Sequence, residues 1–289
     1  MQVWTIANQK GGVGKTTTTV ALGGLASEAS KRVLLIDLDP HGSLTSYFRQ
    51  NPDTLTESVF TLFENRHKIT HNLVEKMVVS TPFAGLHLLP ASTLLATLER
   101  QAIGDGMGLV MAKTLSAVAS DFDQAIIDCP PQLGVLMVNA IAACHHLIIP
   151  VQTEFLAIKG LERILHTLKM MSRSRKQELP FTIVPTMYDR RTQACVTSLR
   201  TIRNSFGEPV WKGKIPIDTR FRDASKAGVP PHLFDDSTRG IEGYRSLYQF
   251  LNTEEGDYAQ GRDVGVPTDT ARVKTTRVSP SDNARGSLR

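Results

Sequence analysis

Cysteine is scarce: Cys129, Cys144 and Cys195 stand far apart in 289 residues. They supply neither a disulfide framework nor a Cys-x-x-Cys site, so a stapled secreted scaffold and a thiolate-held iron–sulfur carrier are both disfavoured. No run approaches the roughly 18 consecutive apolar residues of a membrane span. Residues 1–6, Met1-Gln2-Val3-Trp4-Thr5-Ile6, lack the basic-then-apolar layout of a secretory leader and read as a strand. No repeat recurs at solenoid spacing. The expectation from these absences is a cytoplasmic protein without membrane insertion.

Charge is not one-sided either. The formal net charge is +5. Between Thr253 and Arg289, six basic residues face six acidic ones, so the excess lies within residues 1–252. A modest basic excess admits nucleic acid or an acidic partner without requiring either.

What is present is a core: 41% of residues are hydrophobic. Short apolar runs alternate with helical patterns, the signature of βαβ units and a parallel sheet. Strands are expected at 2–7, 32–37 ("RVLLID"), 85–90 ("GLHLLP"), 124–129 ("QAIIDC"), 145–152 ("HHLIIPVQ") and 181–188 ("FTIVPTMY"), with a helix over Lys15–Ser30. The predicted fold is α/β: a P-loop NTPase fold in a single domain, with a mostly parallel sheet and helices on both faces. After residue 252 the chain turns to Gly, Ser, Thr, Asp and Arg, which bury too little surface to offset their ordering entropy. Residues 253–289 therefore read as a disordered tail.

The stretch "NQKGGVGKTTTT", residues 8–19, follows a strand and opens a helix. Gly14-Lys15-Thr16 matches the end of a phosphate-binding loop, yet Gln9 stands where the pattern asks for its first glycine. A second lysine, Lys10, stands beside it. Gly11, Gly12, Val13 and Gly14 let backbone N–H groups turn onto phosphate oxygens, and the helix directs its positive dipole end to the same place. Lys15 is expected to reach the β- and γ-phosphates, the Thr16 hydroxyl to ligate Mg²⁺ and Thr17 to donate to the α-phosphate.

Two acidic positions extend this site. "AIIDCPP" puts Asp128 at the carboxyl end of an apolar strand, where open α/β sheets place ligands and where a carboxylate can hold Mg²⁺. "LLIDLDPHG" offers Asp37 to support the metal shell and Asp39, in the following loop, to orient an attacking water.

The phrases "KGGVGKTTT", "RVLLIDLDP", "IIDCPPQLG" and "LIIPVQTEFLAIKGLERI" together resemble the ParA/MinD family of deviant Walker ATPases over roughly residues 1–250. The resemblance implies ATP and Mg²⁺ as cofactors, a ParA-like ATPase domain over 1–252, and a homodimer when ATP is bound. In that family a lysine at the Lys10 position reaches the partner's phosphates, and loss of the Asp39 residue locks the ATP dimer. The resemblance also puts adenine near Met187 and the segment "IPIDTRFRDA". The chain departs from it at Asp39-Pro40-His41-Gly42-Ser43, where Asp-Pro-Gln-Gly-Asn is usual, and at Ile217, which replaces an arginine.

"DPHGSLTSYF", "STLLATLERQ" and "YDRRTQA" resemble a narrower group, the ParA-like proteins of chemotaxis clusters in polarly flagellated bacteria, called ParC. That likeness implies a switch ATPase that positions chemotaxis arrays through a polar scaffold or chemotaxis partner, concentrated at a cell pole.

Nine basic residues crowd 190–226: Arg190, Arg191, Arg200, Arg203, Lys212, Lys214, Arg220, Arg222 and Lys226. They form either a footprint for non-specific DNA, as in partition ATPases, or an ordinary solvated or protein-docking face. A metabolic P-loop ligase is a third reading of the loop. His67 and His71, four apart, would share a helix face without further metal ligands. His145, His146 and Cys129 read as structural.

Overall fold

A computed structural model describes residues 1–99, 107–172 and 178–259. Seven strands form its sheet: β1 (Gln2–Ile6), β2 (Val33–Asp37), β3 (Val79–Ser80), β4 (Leu86–Leu89), β5 (Gln124–Asp128), β6 (His146–Gln152) and β7 (Phe181–Thr186). Their order is β3-β4-β2-β5-β1-β6-β7, with every pair parallel except β3–β4. The apolar runs mark the parallel strands because such strands are buried on both faces and need no polar alternation. Strand β3 has only two residues and left no pattern to read. It closes the edge beyond β4, where a short strand limits pairing with other chains.

The helices are α1 (Lys15–Glu28), α2 (Ser43–Tyr47), α3 (Val59–Glu64), α4 (His71–Met77), α5 (Leu95–Leu98), α6 (Val110–Ala117), α7 (Val135–Ala143), α8 (Ala157–Ser172), α9 (Gln193–Phe206), α10 (Arg220–Ala227), α11 (Pro231–Phe234) and α12 (Arg239–Ala259). Met1–Leu251 makes one compact unit, and the stretch from Asn252 onward falls outside it. Residues 253–259, expected in a disordered tail, are helical; the rest of that predicted tail lies outside the described residues.

Side-chain alternation along each strand builds two cores, one per face. Val3, Leu34, Ile36, Ala125, Ile127, Leu147 and Ile149 join α3, α6, α7 and α8 on one side. Trp4, Ile6, Val33, Leu35, Ile126 and Ile148 meet α1, α2 and α12 on the other. Helix α1 lies close against the sheet: a Cβ on Gly23 would come within 2.5 Å of Leu35 Cδ2. Thr18 Oγ1 and the Tyr244 hydroxyl, 2.9 Å apart, tie α1 to α12. The first turn of α1 is thereby fixed relative to the ends of β1, β2 and β5.

Gly23→Val should therefore overpack this contact and lower stability by about 1–3 kcal/mol. In denaturant melts the midpoint should fall with an unchanged slope; an unshifted midpoint would show that α1 can move away from the sheet at little cost.

Candidate functional site

The site lies where β1, β2 and β5 end together. In the parallel register Asp37 pairs with Asp128, and Asp128 with Ile6, the last residue of β1. Gly12 and Gly14 adopt φ values of 73° and 93°, a region that side chains resist. No atom lies within 4 Å of where a Cβ on Gly11, Gly12 or Gly14 would stand, so the loop forms an open cradle. Gly14 caps α1 without a side-chain bond and the first turn of α1 carries no acidic residue, which leaves its N–H groups available to an anion.

Two anchors hold this loop. Asn8 Nδ2 donates to Pro150 O at 2.7 Å while Asn8 Oδ1 accepts from Lys10 N at 3.0 Å. Thr186 Oγ1 donates to Val13 O at 2.9 Å. Lys15 is buried and its Nζ lies 3.3 Å from Lys10 O. Thr17, expected on the α-phosphate, is half-buried in the first turn of α1.

The two strand-end carboxylates are fully buried. Asp128 Oδ2 accepts from Thr16 Oγ1 at 2.6 Å, and Asp128 Oδ1 has no partner. Asp37 Oδ2 accepts from Thr45 N at 2.8 Å and from Thr45 Oγ1 at 2.7 Å, while its Oδ1 accepts from Asp39 N at 3.1 Å. Burial pushes the Asp37 carboxyl up to about 7 against the opposing Thr45 hydrogen bonds. Burial, then the charge of Asp37, pushes Asp128 well above the carboxylate range, opposed by Thr16 and Lys15. A buried pair of oxygen acids with an unpartnered oxygen beside a threonine hydroxyl fits a hard divalent cation such as Mg²⁺.

Asp39 lies two residues past the end of β2, its side chain 14% exposed. Its Oδ1 accepts from both His41 N, at 3.0 Å, and His41 Nδ1, at 2.9 Å. Lys10 leaves the loop sideways: its ammonium pairs with Glu154 and donates to Gln152 Oε1 at 3.2 Å. Sequence reasoning missed Thr45, Asn8, Gln152 and Glu154. Thr45 follows Asp37 by eight residues through a loop, a separation with no local rule behind it, whereas Glu154 lay in a quoted phrase and went unassigned.

Met187 follows β7 with φ 51°, an uncommon value for a methionine. Bonds from Tyr188 N to Ile215 O and from Ile217 N to Tyr188 O, both 3.0 Å, hold it beside the "IPIDTRFRDA" segment. A cleft of about 790 Å³ opens there, lined by Tyr188, Arg190, Arg191, Trp211, Lys214 and Arg239 among others. Of the predicted basic residues, Arg190, Arg191, Arg200, Lys212, Lys214, Arg220, Arg222 and Lys226 are exposed. Arg191 pairs with Asp189, and Arg220 with Asp223 and Asp235. Arg203 is turned inward onto Lys212 O and Gly213 O, so it braces a loop instead of joining the exposed face.

His67 and His71 do not share a helix face. His67 precedes α4, and His71 Nε2 meets Asp121 Oδ2 at 2.7 Å. Among the described residues no three His, Cys, Asp or Glu side chains are grouped to hold a metal. His145 Nδ1 accepts from Val3 N, and the buried His146 lies 2.8 Å from Thr182 Oγ1 with its pKa lowered to about 4 by burial. Cys129 is buried, and burial raises its thiol pKa. Among the described residues no helix is long and apolar enough to cross a membrane.

A glycine cradle at a helix start, a buried lysine and two strand-end carboxylates define a P-loop nucleotide-binding protein. A family model described as an AAA domain matches residues 1–181. Sporulation initiation inhibitor protein Soj of Bacillus subtilis is 34% identical over 244 residues, 84% of this chain and 94% of that one. Chromosome partitioning protein ParA of Myxococcus xanthus is 32% identical over 244 residues, 84% of each. The structure of cobyrinic acid a,c-diamide synthase from Mycobacterium smegmatis with bound ATP analog and magnesium is 32% identical, with TM-score 0.76 over 91% of this chain and 97% of that one. The chain belongs to the ParA/MinD family of P-loop ATPases.

The titration of Asp37 makes a stability prediction. Its carboxyl titrates near 7 when folded, against 3.8 when exposed. Between those values the unfolded chain holds fewer protons, so rising pH removes stability from the metal-free protein. The unfolding free energy of wild type relative to Asp37→Asn should fall as pH rises from 4 to 7 in chelator; a rise across that window would show that Asp37 is held ionised.

Proposed function

We propose that this protein is a Mg²⁺-dependent ATPase whose hydrolysis waits on an ATP-bound homodimer, and that it works as a positioning switch. The observation that carries this is Lys10, a second cation at the mouth of a loop that already has Lys15, held by Glu154 and Gln152 beside its own phosphate cradle. The triphosphate lies on Gly11–Gly14 and the first turn of α1, with Lys15 at the β- and γ-phosphates and Thr17 at the α-phosphate. Thr16 and Asp128 would hold Mg²⁺, with Asp37 supporting them, and the ion would neutralise phosphate charge. Asp39 orients the water that attacks the γ-phosphorus. The bond to the β–γ bridging oxygen breaks, ADP leaves with its electrons, and the water's proton goes to the released phosphate. Lys10 of a second copy adds the cation that a transferring phosphoryl group needs. Turnover without dimer or partner is therefore slow.

Two cargoes follow from different observations. The phrases shared with the ParC group favour chemotaxis arrays, reached through a polar scaffold or chemotaxis protein, in a cytoplasmic protein concentrated at a pole. The cations around the cleft, with relatives named for chromosome partitioning, favour non-specific DNA as the track. A metabolic ligase is the third reading, supported by the diamide synthase likeness. It requires that ATP consumption depend on a small-molecule acceptor and not on dimerisation.

Lys10→Ala should retain ATP binding and lose hydrolysis by about 10³-fold, the scale of a trans-acting cation. Mixing it with Asp39→Ala protein, which keeps Lys10, should restore turnover in the Lys10→Ala subunits. Failure of that mixture to recover activity would overturn the trans role. The Asp39→Ala protein with ATP should bind random duplex DNA with an affinity that falls steeply with salt, and with ADP it should not. Arg190→Glu should flatten that slope. A confirmed ATP dimer that ignores DNA would leave the protein-scaffold reading.

A further inference from the structure

We propose that His41 is a positioning residue for hydrolysis, holding the Asp39 carboxylate in the orientation that presents its second oxygen to the attacking water. This rests on the reading of Asp39 given above. His41 stands where the resembling family has glutamine.

The geometry is a relay of short contacts. Thr45 holds Asp37 through two bonds, Asp37 Oδ1 accepts from Asp39 N at 3.1 Å, and Asp39 Oδ1 then takes both the backbone and the ring of His41. A carboxylate oxygen accepts, so in this contact His41 Nδ1 is the donor. Both bonds converge on Oδ1, and Oδ2 is the oxygen assigned to the water. The loop that carries this pair has little freedom. Gly42 N donates to Asp39 O at 2.8 Å, Gly42 adopts φ 60°, and a Cβ there would come within 2.6 Å of Pro52. The turn thus fixes the approach of ring to carboxylate, and one remaining rotation, about the Asp39 side chain, is stopped by His41.

A bland packing role does not account for this placement. The His41 side chain is 77% exposed while the carboxylate it touches is 14% exposed. Its removal uncovers little apolar surface; what it removes is a charge-assisted hydrogen bond to a carboxylate that must point one way. A misdirected water costs rate far more than it costs binding.

The test compares His41→Ala, His41→Asn and Asp39→Ala in single-turnover hydrolysis of γ-labelled ATP by the full-length chain. Binding of a fluorescent ATP analogue and thermal melting are followed in parallel. His41→Ala should slow hydrolysis at least about tenfold with nucleotide affinity and melting temperature unchanged. His41→Asn places an amide donor where Nδ1 stood and should recover most of the rate. In an Asp39→Ala background, His41→Ala should add no further loss, because a residue that acts through Asp39 has nothing left to orient. An unchanged rate in His41→Ala, an equal further loss in the Asp39→Ala background, or a fall in affinity matching the fall in rate would each overturn the proposal. If Asp39→Ala itself hydrolyses at the wild-type rate, the reading of Asp39 fails first, and that result is distinct from a fast His41→Ala beside a slow Asp39→Ala.

Discussion

Two carboxylates buried side by side set the terms for the rest of this protein. Asp37 and Asp128 end adjacent parallel strands in direct register, both out of solvent. Placing two like charges there costs several kcal/mol per ion unless opposite charge or hydrogen bonds compensate. The compensation comes from three directions: the Thr45 backbone and hydroxyl beneath Asp37, the Thr16 hydroxyl on Asp128, and the buried Lys15. These groups come from two segments, α2 and the first turn of α1, so β2 and β5 must end level and α1 must begin beside them. The close packing of Gly23 on Leu35 and the bond between Thr18 and Tyr244 keep α1 in that place. A divalent cation would complete the balance that protein groups leave open at Asp128 Oδ1.

The two lysines of the loop differ in the same currency. Lys15 is 8% exposed, and its ammonium lies on the Lys10 carbonyl. The Lys10 and Glu154 side chains are 34% and 36% exposed. An ion pair with that much solvent contributes at most about 1 kcal/mol. So weak a pair does not lock Lys10 in place. The exposed Phe155 and Leu156 stand directly beside it, at the start of α8.

Much of this was legible before any coordinates, for reasons that differ by element. The parallel strands read as continuous apolar runs because both faces are covered. The loop was legible because glycine, lysine and threonine have separate physical tasks at fixed spacing. Asp128 was legible as an acid at the end of such a run. What stayed hidden depends on pairs distant in sequence: Thr45 under Asp37, Thr186 on Val13, Asp121 on His71. Arg203 counted as one more surface cation by composition, and only its bonds to Lys212 O and Gly213 O turn it inward. Residues 253–259 looked too polar to order, yet they continue a helix whose Tyr244, Leu247 and Leu251 are already seated in a core. Extending an existing helix costs less than nucleating one.

Relatives named for sporulation control, chromosome partitioning and a diamide synthesis stand at nearly the same distance from this chain, at 34%, 32% and 32% identity. Overall similarity therefore does not rank these activities, and the shared frame explains why. Strand ends, cradle and carboxylate pair serve phosphoryl chemistry in general, whatever accepts its output. Discrimination has to come from groups that leave the frame. Here those are Lys10, bound to Gln152 and Glu154, the exposed Phe155 and Leu156, and the cations of the loop after β7 at Arg190 and Arg191. Under the proposed switch, Lys10 is the group a ligase would not need, because its partners here are Gln152 and Glu154 and no acceptor site. The weight of the functional reading accordingly rests on a single ammonium group, a second cation in a loop that already has Lys15.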